Sequence, residues 1–506
     1  MKLNRTVRIL FSLLLAMGLL ASTAFATPSS LRPHMDTITP QGAYVEADML
    51  ADYIRLLHID SGINDNPLLR AWQSISGTRD DLSPNQLRQA LQKYFAEDPG
   101  HLDSFETAML HVYDPFSNLF TESGYEESYG DNRDYEGLGF VYRAWGPMLI
   151  LDDVYSDSPA GRAGLQRGDF IVKIAGKDIR FLSDAKRTEL MEEYRGRALP
   201  FTVLRDGKLL DYEIEAGKVY VPSMEHEILD GKIGYLSLQR FSGDHFDDEL
   251  KAAVTDFRKA GVKSLILDLQ GNHGGGIEEL LTAINAFVPQ ADRLLFTELS
   301  RSYEAEYYSV GGGLAVDRML ILADGDSASS AEIFTGVLSD LGLATVIGTP
   351  TYGKGRGQAG YFFNDRILMI SVSAVALPVR GRYDGTGLIP DIEVADTVTV
   401  DIEKLEPLDT GAPVSAASSK SQILALEQRL ELLGFLYAEA DGVFDDATAA
   451  ALASFYAGMG AAAKTSADTE LLRTLADMTK RADGAVTVTD DPLLVALDLL
   501  AAGKAA

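Results

Sequence analysis

Residues 324–358 read DGDSASSAEIFTGVLSDLGLATVIGTPTYGKGRGQ, and the rest of the chain is read outward from this stretch. Ser329 stands in a run of small residues, before an apolar segment (331–341) that reads as a helix. A serine at a helix start turns its hydroxyl out of the fold, with backbone N–H groups nearby to hold developing negative charge. Lys354 lies 25 positions later, in a Tyr-Gly-Lys-Gly turn. Flanking glycines allow close approach and desolvation. Burial disfavours the charged ammonium, so such a lysine can act as a neutral base toward a hydroxyl. The bland alternative is a strand-to-helix turn and a surface lysine, because Ser–Lys pairs also arise by chance.

The wording around the two residues adds weight. SASSAEIFTGVLSD followed by GTPTYGKGRGQ resembles the signature of the C-terminal processing peptidases, the tail-specific protease family of serine peptidases. The resemblance implies Ser329 as nucleophile, three positions before Glu332, and Lys354 as general base. Gln358 matches the glutamine that orients that lysine, and Asp340 matches an aspartate of less certain role. Ser330 stands where the family has alanine, and its N–H can still serve an oxyanion.

Upstream, KIGYLSLQRFS (232–242) reads as a strand, 244–261 as an amphipathic helix, and SLILDLQGNHGGG (264–276) as a buried strand ending in glycines. These segments resemble the family's GYIxIxxF and DLRxNPGG. In the family, the glycines after that strand supply one oxyanion N–H. Gly274 and Gly275 are the matching positions, and sequence does not choose between them; glycine allows the closest backbone approach to a reacting carbonyl. Gln270 replaces an arginine and His273 a proline. His273 is also the one histidine in a catalytic-looking loop, which leaves a Ser–His system as the competing base assignment. Residues 318–323 read as the strand that delivers Ser329, and 367–377 as a further strand. Strands alternating with helices give an α/β core, for which the family implies a crotonase-like arrangement over 216–400. GTGLIPDIEVAD (385–396) resembles the family's Gly-x-x-Pro-Asp.

Before the core, 119–215 reads as a PDZ domain. Gly137-Leu138-Gly139-Phe140 is the loop whose N–H groups can converge on a terminal carboxylate, while the next strand accepts a peptide as an added strand. SPAGRAGLQRGDFIVKIAGKDI (158–179) resembles the second half of protease PDZ domains and supplies the context a lone GLGF lacks. Residues 27–118 read as an N-terminal helical region, with Ser83-Pro84 as a helix start. It ends in DPFSNLF (114–120), similar to the family's DPHSxYL, with Phe116 in place of the histidine.

Residues 401–420 contain the Pro/Ala/Ser-rich run LEPLDTGAPVSAASSK (405–420) and read as a flexible linker. Beyond it, 421–480 resembles a small three-helix peptidoglycan-binding module, through Leu433-Gly434-Phe435, Asp441-Gly442-Val443-Phe444 and Thr448. Phe455-Tyr456 stands where Phe-Gln is usual, and a packing or interaction module of the same shape is the competing reading. Residues 481–506 resemble the terminal helix of these peptidases, making the module an insertion before it.

Residues 1–26 read as a secretory signal peptide: Lys2, Arg5 and Arg8, then an apolar centre over 9–20, then Ala24-Phe25-Ala26. The chain has no cysteine, which excludes disulfides, thiolate catalysis and cysteine–zinc sites. The formal charge is −29, and losing three basic and no acidic residues with the leader would take it to −32, a surface that repels nucleic acid. The expectation is an exported, periplasmic or otherwise extracytoplasmic serine endopeptidase with no metal or cofactor. Its partners would be proteins with apolar C-terminal tails, with peptidoglycan, an adaptor and a homo-oligomer left open. The rival from another class is a catalytically silent PDZ and cell-wall-binding scaffold; a wall hydrolase has no metal or paired-carboxylate motif behind it.

Overall fold

The computed structural model describes residues 39–502, apart from 63, 99, 130–133, 195, 396 and 489–490. The leader reading over 1–26 lies outside the described residues. The chain forms two compact units, one from residues up to 131, 223–394 and 495 onward, the other from 132–222 and 395–494. Among the described residues no helix is long and apolar enough to cross a membrane.

The first unit is built on a sheet of six strands in the order Met224–Leu229, Ile233–Leu238, Ser264–Asp268, Arg318–Ala323, Thr345–Gly348 and Ile392–Glu393. Only the first pair is antiparallel. Parallel neighbours require crossovers. The helices Phe246–Ala260, Ile277–Phe287 and Ser330–Asp340 lie between the parallel strands, burying Phe257, Phe287 and Phe334 in the main core. Each fully buried side chain of this kind stabilises by about 1.5–3 kcal/mol. A second sheet, antiparallel, centres on Arg366–Leu377, which pairs with Asn118–Phe120, Ala291–Ser300, Arg356–Phe363 and Gly381–Arg382. On it pack the N-terminal helices Pro40–Leu57, Pro67–Ser76, Pro84–Glu97 and His101–His111, through a core that includes Leu50, Phe105, Phe363 and Ile370. Thr39 Oγ1 accepts from Gly42 N–H at 3.1 Å to start the first helix, and Ser83 with Gln86 forms a capping box for the third. The last helix, Asp491–Ala501, returns to the parallel sheet, where Arg318 Nη1 donates to the Leu499 carbonyl at 3.3 Å.

The second unit holds an antiparallel sheet in the order Phe140–Trp145, Met148–Val154, Phe170–Ile174, Leu199–Arg205 and Lys208–Ile214, closed by the pair Asp134–Gly137 and Gly217–Tyr220. Against it stands a three-helix module of Lys420–Leu432, Asp446–Gly458 and Thr469–Arg481. The two share one core, in which Trp145, Met148, Ile150 and Val172 of the sheet meet Leu430, Phe435, Phe455 and Leu475 of the helices. Arg180, 1% exposed, donates to the carbonyls of Leu433 and Gly434, lies 3.4 Å over the Phe435 ring and is neutralised by Asp178. The stretch 401–420 is therefore not the free tether its composition suggests. Buried Val414 exchanges backbone bonds with Ala467, and Leu408 packs on the same core. Entry and exit are stitched by the strands Thr397–Thr399 and Val486–Val488.

Candidate active site

Ser329 caps the Ser330–Asp340 helix with φ 56° and ψ −119°, a conformation non-glycine residues rarely adopt and one met where the surroundings over-determine a functional residue. Its N–H donates to Glu332 Oε2 at 3.0 Å. The loop before it is fixed by Asp324, which accepts from the N–H groups of Gly271, Asp326 and Ser327 at 2.9–3.0 Å. Ser327 Oγ donates to the Leu269 carbonyl at 2.8 Å, and Ala328 N–H to the Asn272 carbonyl at 2.9 Å. Those bonds lock the glycine loop 271–276 against Ser329.

The glycine loop meets the serine at van der Waals distance. A Cβ on Gly274 (φ 97°) would lie 2.8 Å from Ser329 Cβ and 2.9 Å from Ser330 N, so only glycine fits. Of the two glycines, Gly274 has its N–H engaged by Asn272 Oδ1 at 2.8 Å. The Gly274 carbonyl accepts from Phe241 N–H at 3.0 Å, and across a trans peptide the next N–H, that of exposed Gly275, points the opposite way. Ser330 Oγ donates to the Gly275 carbonyl at 2.9 Å, so the serine that replaces the family's alanine ties the two loops together.

Lys354 reaches the same place through Glu332. This carboxylate, fully buried, accepts from Thr351 Oγ1 at 2.5 Å and from Gly353 and Lys354 N–H at 2.7 Å each, besides Ser329 N–H. Burial pushes the Glu332 carboxyl up, and these four donors pull it back toward the ionised form. Gly353 is at φ 92° with the backbone of 385–387 where a Cβ would go. Burial lowers the Lys354 ammonium's proton affinity, opposed by the charges of Asp114 and Glu332. Its Nζ stands 5.8 Å from the centre of the Phe116 ring.

Gln358 Nε2 donates to the Phe116 carbonyl at 2.8 Å, so the glutamine expected to orient the lysine holds the segment facing it. His273, on the exposed side of the glycine loop, has Nδ1 3.2 Å from the Asp326 carbonyl. Asp340 braces a turn: it accepts from Val379 and Arg380 N–H and pairs with the Arg380 guanidinium. In the second unit, Gly137 ends a strand and Phe140 begins one. The carbonyls of Leu138 and Gly139 are taken by Ala160 and Tyr155 N–H at 2.9 and 3.1 Å, turning the following N–H groups the other way. Sequence reasoning used Glu332 only as a marker. The signal available was an acid inside an otherwise apolar helix face, AEIFTGVL.

Residues 232–394 match the model of Peptidase family S41, and 136–216 that of the PDZ domain. Residues 232–394 are thus similar to peptidases of family S41 and residues 136–216 to PDZ domains. The chain's homologues include CtpA-like serine proteases. It is 31% identical over 303 residues, covering 58% of this chain and 59% of the relative, to the "Probable CtpA-like serine protease" of Staphylococcus aureus (strain bovine RF122 / ET3-1). With the protein of that name from Staphylococcus saprophyticus it shares 25% over 411 residues, 79% of this chain and 80% of the relative. The chain spans about three-fifths of the length of the S. aureus relatives it matches. Among solved structures, the "Putative S41 protease" of Bacteroides fragilis shares the fold with a TM-score of 0.50 at 18% identity, over 69% of this chain and 90% of that one.

Proposed function

We propose that the protein is an exported serine endopeptidase that cuts polypeptides by a Ser–Lys mechanism after its PDZ domain has taken their C-terminal tails. The observation that carries this is Glu332, one buried carboxylate that holds the backbone of both Ser329 and Lys354. Ser329 Oγ attacks the scissile carbonyl as Lys354 Nζ takes its proton. The N–H groups of Ser330 and Gly275 hold the oxyanion, the lysine returns the proton to the leaving amine, and water then hydrolyses the acyl-enzyme. Apolar tails suit a strand-addition groove begun by Gly137-Leu138-Gly139-Phe140.

The test is incubation of the purified protein with an unstructured protein. The parent should produce fragments, and Ser329→Ala and Lys354→Ala should each produce none while staying folded. The two losses should not add, because nucleophile and base act as a unit. Cleavage retained by Lys354→Ala and lost in His273→Ala would reverse the base assignment, and a parent that never cuts would favour the silent scaffold. Peptidoglycan binding by 421–480 is a separate reading, tested by sedimenting the full chain with insoluble wall at low and moderate salt. The shared core with Trp145 and Met148 supports instead a module that buttresses the PDZ sheet.

A further inference from the structure

His58 and Asp114 form a buried pair that the Ser–Lys mechanism does not use. His58, at the C-terminal end of the Pro40–Leu57 helix, has no exposed surface, and its Nε2 meets Asp114 Oδ2. Asp60 N–H donates to His58 Nδ1 at 3.1 Å. That bond makes Nδ1 an acceptor and leaves the ring proton on Nε2, pointing at Asp114. Asp114 also accepts from Phe116 N–H at 2.7 Å, Ser117 N–H at 2.9 Å and Ser117 Oγ at 3.2 Å. Ser117 Oγ in turn accepts from Ser371 N–H at 3.0 Å, and Ile59 N–H donates to the Ser371 carbonyl at 2.8 Å. The turn 114–117 is thus fixed from both sides, with the Phe116 carbonyl on Gln358 and its ring beside Lys354 Nζ.

We propose that His58 and Asp114 are a positioning pair, through which the N-terminal helical region holds Phe116 against Lys354 and places a fixed negative charge behind the general base. The proposal rests on the Ser–Lys reading above. Burial works to raise the Asp114 carboxyl, but the hydrogen bond from His58 and the amides of Ser117 and Phe116 outweigh it and bring it down to about 2, so it stays ionised at any working pH. The groups around Lys354 are few. Glu332 faces it from the Ser330–Asp340 helix and Asp114 from the 114–117 turn. Tyr383 lies in the field of Glu332 and Asp384. Arg356, two residues along, is neutralised by Asp60 and Asp384. Asp114 is therefore one of two charges favouring the protonated lysine, and the one brought by the helical region.

A general-base lysine works when neutral, so activity rises with pH through its titration. Removing the Asp114 charge disfavours Lys354 in its protonated form and moves that rise to lower pH, by about one unit or more for a near opposite charge. The experiment measures the pH midpoint of Lys354 acylation by acetic anhydride, mapped by mass spectrometry in a Ser329→Ala background, beside the pH profile of cleavage in the active protein. Asp114→Asn should lower both midpoints. His58→Gln, which keeps a donor near Nε2, should leave both in place. His58→Phe, which fills the space without a donor, should lower kcat at unchanged KM; if Asp114→Asn does not fold, it decides the matter. An Asp114→Asn protein that loses activity equally at every pH with an unmoved midpoint, or a His58→Phe protein that matches the parent, overturns the proposal. If the parent cleaves nothing while the acylation midpoint still shifts, the Ser–Lys reading fails and the pair stands.

Discussion

Two buried glutamates, one in each unit, do the same physical work to different ends. Glu332 takes Thr351 Oγ1 and the N–H groups of Gly353, Lys354 and Ser329. Glu427, 1% exposed in the first helix of the C-terminal module, takes Thr448 Oγ1 at 2.6 Å and the N–H groups of Gly442 and Asp441 at 2.7 and 3.2 Å. In both, a helix carboxylate fixes a glycine-bearing loop by its backbone, and a threonine hydroxyl completes the set. A buried carboxylate is tolerated only when its lone pairs are filled, and a loop amide is fixed most firmly by a charged acceptor. The difference lies in what the clamped amides carry. At Glu427 they belong to an acid and a glycine of a small helical module. At Glu332 two of them belong to the residues assigned here as base and nucleophile. The clamp is a general folding device, and Glu332 gains its chemical weight from the residues hung on it.

The largest effect is expected at Glu332. Glu332→Ala leaves three amides and a hydroxyl without their acceptor at about 1–3 kcal/mol each. It should lower unfolding stability by at least about 4 kcal/mol and abolish cleavage. Glu332→Gln keeps an acceptor oxygen and should fold, yet lose most activity; thermal unfolding and a peptide-cleavage assay on both variants check this. Glu427→Ala strands two amides and a hydroxyl and should lower stability by at least about 3 kcal/mol at the same cost per group, visible in the second unit alone, with cleavage of an untagged unstructured protein unchanged. If it silenced the enzyme, the two clamps would not be separable.

A smaller effect is expected where the module meets the PDZ sheet. A Cβ at Gly458 would lie 2.1 Å from the Phe181 ring, so Gly458→Leu wedges the contact at about 1–3 kcal/mol. Hydrogen exchange at 148–150 should quicken, and unchanged protection would contradict a shared core. The last effect is read from the pH dependence of stability. Asp114 titrates near 3.9 when unfolded and at about 2 when folded. A folded value below the unfolded one contributes stability that is present above pH 4 and lost as pH falls toward 2, about 2.6 kcal/mol in all. Acid unfolding of Asp114→Asn should be flatter across that window, as circular dichroism would show.

The strand 318–323, the helix after Ser329 and the strand and helix of 158–174 were legible in the sequence because each is a local pattern of small, apolar and glycine residues. So were the serine and the lysine. What holds them was not. Glu332 sits three positions from Ser329, where a capping role is visible, but its reach to 353 and 354 exists only once the crossover returns the chain. His58 and Asp114 are 56 residues apart, on segments that read separately as helix end and turn. The stretch 401–420 misled for a related reason: proline, alanine and serine report on backbone freedom in isolation, whereas Val414 and Leu408 are placed by a core contributed from elsewhere.

In the mechanism proposed above, Ser329 is a nucleophile activated by Lys354, with Glu332 setting both. The most direct measurement is the rate at which a fluorophosphonate probe labels the protein, with the modified residue mapped by mass spectrometry in the parent, Lys354→Ala, Glu332→Gln and Glu427→Ala. A single label is expected on Ser329, formed at the parental rate in Glu427→Ala and lost in Lys354→Ala and Glu332→Gln. A label on any other serine, or labelling of Ser329 that survives Lys354→Ala undiminished, would contradict that mechanism.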